Sequence, residues 1–144
     1  DFLYKCLYKS NISNKQKSEN INDNLKLNNT YITTALKCVP PNDKPKSNEL
    51  KNCFYYFEKE FLILKNLKVI LALGKIAFDT CVGFLKLDKK KISFQHSEIF
   101  NIENKLYLVA CYHPSPRNVN TKRINEEKMI KVLSKVKNIL KTTP

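Results

Sequence analysis

Apolar positions along the chain fall into short runs and stripes, separated by polar stretches rich in Asn, Ser and Lys. Residues Phe2 to Lys9 suit one short helix, whereas Ser10 to Asn29 offers only Ile12, Ile21, Leu25 and Leu27 and is expected to be an exposed connection. Tyr31 to Leu36 (YITTAL) has the β-branched character of a strand. Beyond the turn-rich VPPNDKPKSN, the spacing of Leu50, Cys53, Phe54, Phe57, Phe61 and Leu64 predicts a helix from about Glu49 to Lys65, with Ser47 as its N-cap. Lys68 to Leu73 (KVILAL) is a continuous apolar run suited to a buried strand, and Gly74 opens a second helix, Lys75 to Leu85. Two weaker extended segments, Ile92 to Gln95 and Glu98 to Ile102, precede a second buried strand, Leu106 to Cys111 (LYLVAC). Asn125 caps a closing helix with one apolar stripe: Met129, Val132, Leu133, Val136, Ile139 and Leu140. Strands and helices alternate, which predicts a single α/β domain over residues 1–144 with a mainly parallel sheet. In such sheets ligands bind beyond the carboxyl ends of the strands, where Cys38 and His113 fall.

Length and composition agree with one domain, since 144 residues with 42% apolar content can bury a sizeable core. No run approaches the roughly 20 apolar residues of a membrane span, and DFLYKCLYK lacks the features of a signal peptide, so a cytoplasmic protein with no membrane partner is expected. The net charge of +13 favours a polyanionic partner if the charge gathers on one face. Lysine abundance beside so much Asn and Ile also has a plain compositional reading. Against that background the only two arginines, Arg117 and Arg123, both lie in Tyr112 to Arg123, YHPSPRNVNTKR. Arginine offers phosphate a planar fork that lysine lacks.

Candidate chemistry narrows from there. Gly74 and Gly83 are the only glycines, too few for a P-loop or a dinucleotide fingerprint, which excludes the corresponding phosphate-binding classes. YHPSPRNVNTKR packs one His, one Ser, two Asn, one Thr and two Arg beside two prolines, a supply suited to reading phosphates and bases; an ordinary polar connection is the competing account. Its position after a buried strand favours the first, while His96 has no comparable placement. Of the five cysteines, Cys81 and Cys111 sit in apolar runs and read as core thiols. Cys38 and Cys53 flank the Pro-rich turn; on chemistry alone they are two unrelated thiols, or zinc ligands, since two thiolates complete no tetrahedral site.

Taken in order, these segments resemble the uracil-DNA glycosylases that carry a 4Fe-4S cluster, the type 4 and type 5 group, and within it the broad-specificity type 5. DFLYKCLYK resembles the helix after the family's first active-site motif. YITTALKCVPPNDKP and NELKNCFYYFEKEF resemble the segments holding its third and fourth cluster cysteines. KVILALGKIAFD is similar to the next strand and helix, FQHS to a segment usually reading Phe-x-His-Gly, and YHPSPRNVNTKRI to the second active-site motif.

The resemblance implies a three-layer α/β/α fold, a monomer, and hydrolysis of the N-glycosidic bond of uracil in DNA. It makes His113 the donor to uracil O2, a task for which a neutral imidazole suffices. Ser115, Arg117, Asn118, Asn120 and Arg123 would hold phosphates or fill the gap in the base stack, with Pro114 and Pro116 stiffening the loop. Cys38 and Cys53 would be two of four cluster ligands. Thr34 falls where some relatives use Asn to read the uracil edge, and this departure argues against strict selectivity. Lys122 and Ser97 stand where many relatives have Gly. The family's water-directing residue, uracil-stacking aromatic and first two cluster cysteines would lie upstream of Asp1, so the chain is expected to be a C-terminal piece that is inactive alone. The alternative is a non-catalytic nucleic-acid-binding α/β module.

Overall fold

Alternating side chains on one central strand organise the domain. In the computed structural model, which describes residues 1–37 and 46–143, strand β3 (Leu106–Cys111) sends Val109 and Cys111 to one face and Leu108 and Ala110 to the other, all fully buried. A strand buried on both faces needs a layer on each side. Helices α1 (Phe2–Lys9) and α6 (Glu126–Thr142) cover the first face, packing Cys6, Leu7, Met129, Val132 and Leu133 around Val109 and Cys111. Helix α4 (Lys75–Phe84) covers the second with Phe78, Cys81 and Val82. The expected α/β/α layering is thus present.

Strand β1 (Val69–Leu73) runs parallel to β3, with Val69 opposite Tyr107 and Leu73 opposite Cys111. Strand β2 (Ile99–Ile102) runs antiparallel on the other side of β3, giving the order β1-β3-β2. The described sheet is therefore mixed rather than mainly parallel. The tight turn Glu103–Lys105 joins β2 to β3, a connection open only to antiparallel neighbours. Ile92 to Gln95 forms no strand; Ile92 and Phe94 instead pack as single side chains against the α4 face.

Tyr31 to Leu36 also departs from expectation. The segment joins no ladder, and Tyr31 and Ile32 are exposed. Its polar side chains turn to Glu60, whose Oε1 accepts from Tyr31 Oη at 3.2 Å, Thr33 Oγ1 at 2.9 Å and Lys37 Nζ at 2.8 Å. A β-branched sequence becomes a strand only where a partner edge meets it. Glu60 belongs to helix α3 (Phe54–Ile63), which follows α2 (Ser47–Asn52) across Cys53. The single helix expected from Glu49 is interrupted there, and the Cys53 carbonyl is shared between Tyr56 N–H at 3.1 Å and Phe57 N–H at 3.3 Å as α3 begins. Ser47 is already helical rather than a cap, and the Glu49 carboxylate instead accepts from Lys46 N–H at 2.7 Å.

The ends of the other helices follow the sequence closely. Asn125 Oδ1 accepts from Lys128 N–H at 2.9 Å and caps α6, whose first turn holds Glu126 and Glu127. Glu126 also pairs with Lys5 and Lys9, tying α1 to the start of α6.

Candidate active site

The parallel pair sets the geometry. Leu73 and Cys111 end β1 and β3 side by side, and Gly74 N–H donates to the Cys111 carbonyl at 2.7 Å, so both chains leave the sheet at one level. Gly74 then turns with φ +97° and ψ 162°, a region essentially restricted to glycine, before α4 begins. A Cβ at this position would lie 2.9 Å from the Cβ of His113. The space left by the absent side chain is taken up by the His113 side chain, its Cβ, Cγ and Cδ2. His113 is exposed at the carboxyl edge of the sheet, as its placement in the sequence implies.

The segment beyond His113 is more ordered than a polar loop. Pro116–Asn120 forms a short helix, α5, with Pro116 at its first position and Ser115 as N-cap, its Oγ accepting from Asn118 N–H at 3.3 Å. Asn118 Nδ2 donates to the His113 carbonyl at 2.8 Å, folding the helix back on the catalytic candidate. Thr121 Oγ1 donates to the Arg117 carbonyl at 2.9 Å. Lys122 ends the helix at φ +56°, its N–H bonding the Val119 carbonyl at 3.0 Å. This is the left-handed closing residue of a helix C-terminus, a place suited to glycine. Arg117, Asn120, Lys122 and Arg123 are exposed, and Ile124 is fully buried, ending the excursion in the core.

Support comes from residues the sequence reading left aside. His96 Nδ1 accepts from Tyr112 N–H at 3.1 Å, and the two rings stack at 4.6 Å with 2° between their planes. The neutral imidazole making this bond carries its proton on Nε2. Burial, then Lys128 and Lys135, push the His96 pKa below its ordinary value. The Arg123 guanidinium lies 4.7 Å from the Tyr112 ring centroid. Lys128 Nζ donates to the carbonyls of Lys122 and Arg123, each at 3.2 Å, and Lys135 Nζ reaches Ser97 O and Oγ at 3.1 and 2.7 Å. Ser97 has φ +69°, so both positions where the resemblance leads one to expect glycine do adopt left-handed backbone. The one usable signal for His96 was its place in FQHS; its partner lies sixteen residues away in sequence.

Thr34 is not brought to this site by any described hydrogen bond. It is exposed, and its Oγ1 donates to the Leu36 carbonyl. Cys53 is 5% exposed at the start of α3, while Cys38 lies outside the described residues. Burial raises the thiols of Cys6 and Cys81 to about 11 and that of Cys111 to about 12, so these three behave as core thiols rather than thiolate donors. Among the described residues, no three His, Cys, Asp or Glu side chains gather as a metal site. No helix among them is long and apolar enough to cross a membrane.

Residues 1–137 match the profile of the Uracil DNA glycosylase superfamily. The chain is 33% identical over 138 residues to a type-5 uracil-DNA glycosylase of Thermus thermophilus, covering 96% of this chain and 63% of that protein. It is 34% identical over 131 residues to a type-5 uracil-DNA glycosylase of Pyrobaculum aerophilum, covering 91% and 56%. With a type-4 uracil-DNA glycosylase of Archaeoglobus fulgidus the identity is 30% over 95 residues, covering 63% and 47%. The chain thus spans less than two thirds of the length of these relatives. With the profile matched along nearly its whole length, this chain belongs to the uracil DNA glycosylase superfamily.

Proposed function

We propose that the full-length protein is a uracil-DNA glycosylase of base-excision repair, a hydrolase cleaving the N-glycosidic bond of uracil in DNA. In this reading it works as an intracellular monomer. The observation that carries the proposal is His113, exposed beyond β3, its carbonyl held by Asn118 and an arginine-bearing helix folded beside it. Cleavage leaves positive charge on the sugar and negative charge on uracil, so a donor directed at O2 is worth most in the transition state. His113 supplies that donor. Arg117, Asn120 and Arg123 reach for phosphates or the gap left by the extruded base, while Ser115 and Asn118 shape the turn and Pro114 and Pro116 stiffen it. Thr34, where some relatives carry an amide, leaves the proposed activity without the amide expected for strict uracil selectivity. The residue that directs water to the sugar comes from sequence outside residues 1–144, and those residues alone are inactive.

In the same reading a 4Fe-4S cluster is held in part by thiols of this chain. Cys53 is buried where α3 begins, and in this reading it and Cys38 would be two of the ligands. Two more come from outside these residues, since Cys6, Cys81 and Cys111 are committed to the cores. Bound there, the cluster would tie residue 38 to the start of α3. Iron and sulfide analysis with the visible absorbance spectrum tests this.

The activity test uses full-length protein with intact metal content and a uracil-containing oligonucleotide. His113→Ala should reduce release of free uracil on the order of 100-fold or more while DNA affinity changes little. Normal binding by the unmutated protein without any abasic sites would leave only a nucleic-acid-binding module.

A further inference from the structure

We infer that His96 is a positioning residue that, through the Tyr112 backbone and ring, fixes where His113 and Arg123 stand. The inference rests on the glycosylase reading for its consequence in catalysis, but its geometry is independent of that reading. Tyr112 is the last residue before His113, and the Tyr112 N–H lies past the end of β3, beyond the reach of the sheet ladder. His96 Nδ1 provides the acceptor that the ladder no longer supplies, at 3.1 Å. The same imidazole lies parallel to the Tyr112 ring at 4.6 Å, and that ring in turn carries the Arg123 guanidinium at 4.7 Å. One side chain therefore restrains both ends of the segment, His113 through the adjoining peptide and Arg123 through the aromatic ring.

The imidazole is held from behind as well. Ser97, adjacent to His96, donates its N–H to the Ala110 carbonyl at 2.7 Å, and Lys135 of α6 bonds both Ser97 oxygens. Phe94 packs on Tyr112 from the same connection, ring centroids 6.0 Å apart. A reacting group held by such partners keeps its geometry without an ordering cost during reaction. Protonation would destroy the arrangement, because Nδ1 would then present a donor to the Tyr112 N–H. Burial, then the cationic Lys128 and Lys135 of α6, favours the neutral form, and the further charge nearby, Arg123 across the Tyr112 ring, is also cationic. The acceptor is present above the His96 pKa and lost as pH falls through it.

The test compares His96→Ala and His96→Asn with the unmutated full-length protein, following single-turnover uracil release, affinity for uracil-containing DNA, and the Tyr112 amide proton by NMR. An Asn oxygen can stand close to the Nδ1 position. Ala should slow release on the order of 10- to 100-fold with affinity largely retained, and Asn should recover most of the loss. Release by the Ala variant within about twofold of the unmutated protein, or Asn no better than Ala, overturns the inference. If the Ala variant does not fold, the unmutated protein decides: the Tyr112 amide resonance must move with the His96 ring titration, at a pH below the ordinary histidine value. Independence of the two signals overturns the inference. If the unmutated protein releases no uracil at all, the glycosylase reading fails, and the anchoring role is decided by that same titration.

Discussion

Lys122→Gly should stabilise the protein even though it removes a side chain and adds none. Lys122 sits at φ +56° as the closing residue of α5, a backbone conformation that costs an L-residue with a Cβ about 1–2 kcal/mol. Glycine escapes that cost but loses about 0.4–1 kcal/mol through the greater freedom of its unfolded chain. The net expectation is a gain of about 0.5–1 kcal/mol, or roughly 2–4 °C in Tm for a protein of this size. Nothing else in the turn has to change. The bonds that define it run through Lys122 N–H to Val119 and from Lys128 Nζ to the Lys122 carbonyl, and both survive the substitution. Lys122→Ala is the control, since it removes the same charge but keeps a Cβ and should bring no comparable gain. Urea and thermal unfolding of the three proteins measure the difference. Equal stability of the Gly and Ala variants, or a less stable Gly variant, would falsify the assignment of left-handed strain to this residue. If Lys122 also contacts phosphate, both variants should reduce the salt slope of DNA binding by about one ion.

Gly74→Ala should have the opposite sign and a wider effect. Its backbone conformation is hostile to a Cβ, at about 1–3 kcal/mol, and the new methyl would meet the His113 Cβ at 2.9 Å. Uracil release should therefore fall by more than the loss of Tm accounts for, on the order of 100-fold; activity that merely tracks the folded fraction would argue against a role in placing His113. Glu60 provides a pH prediction. Burial raises its pKa, but bonds from Lys37, Thr33 and Tyr31 together outweigh this and hold the carboxyl below its ordinary value. A depressed carboxylate stabilises above its unfolded pKa, and that contribution disappears as pH falls through the folded value. Protection of residues 31–37 against hydrogen exchange, taken relative to the rate of an unstructured chain at the same pH, should fall on acidification through the depressed Glu60 pKa, and Glu60→Gln should lower it at neutral pH; unchanged protection in the variant would exclude the tether.

What could be read from the sequence was whatever depends on local pattern. LYLVAC names β3 to the residue because a strand buried on both faces leaves no polar position within it, and Asn125 followed by two glutamates marks the start of α6 by capping chemistry alone. The Ser115-Pro116 start signal of α5 was also present in the letters, but the two prolines suggested a stiff loop instead. YITTAL failed for the reverse reason. Its propensity is that of a strand, yet pairing is a property of two segments, and Glu60 competes for Tyr31 and Thr33 from a helix twenty-odd residues away. The placement of His113 just beyond the carboxyl end of β3 was legible, because it follows directly from the buried run before it. Gly74, His96 and Lys128 were not, because each acts through a contact that only the parallel crossover and the packing of α6 create.

Those supporting contacts alter how the segment from Tyr112 to Arg123 works. Its polar side chains had seemed one undivided set of DNA contacts, yet they divide into two groups. Ser115 Oγ, Asn118 Nδ2 and Thr121 Oγ1 bond to the segment's own backbone, while Arg117, Asn120, Lys122 and Arg123 remain exposed. The first group holds a helix of five residues that propensity alone would leave unformed. In the proposed glycosylase, a backbone already ordered would lower the entropic cost of gripping DNA and leave more of each phosphate contact for base extrusion. His113 benefits from the same economy. Its carbonyl is tied to Asn118, the preceding N–H to His96, and one side of its side chain lies against Gly74, so in the proposed reaction an exposed imidazole would meet the leaving group from a backbone that stays fixed.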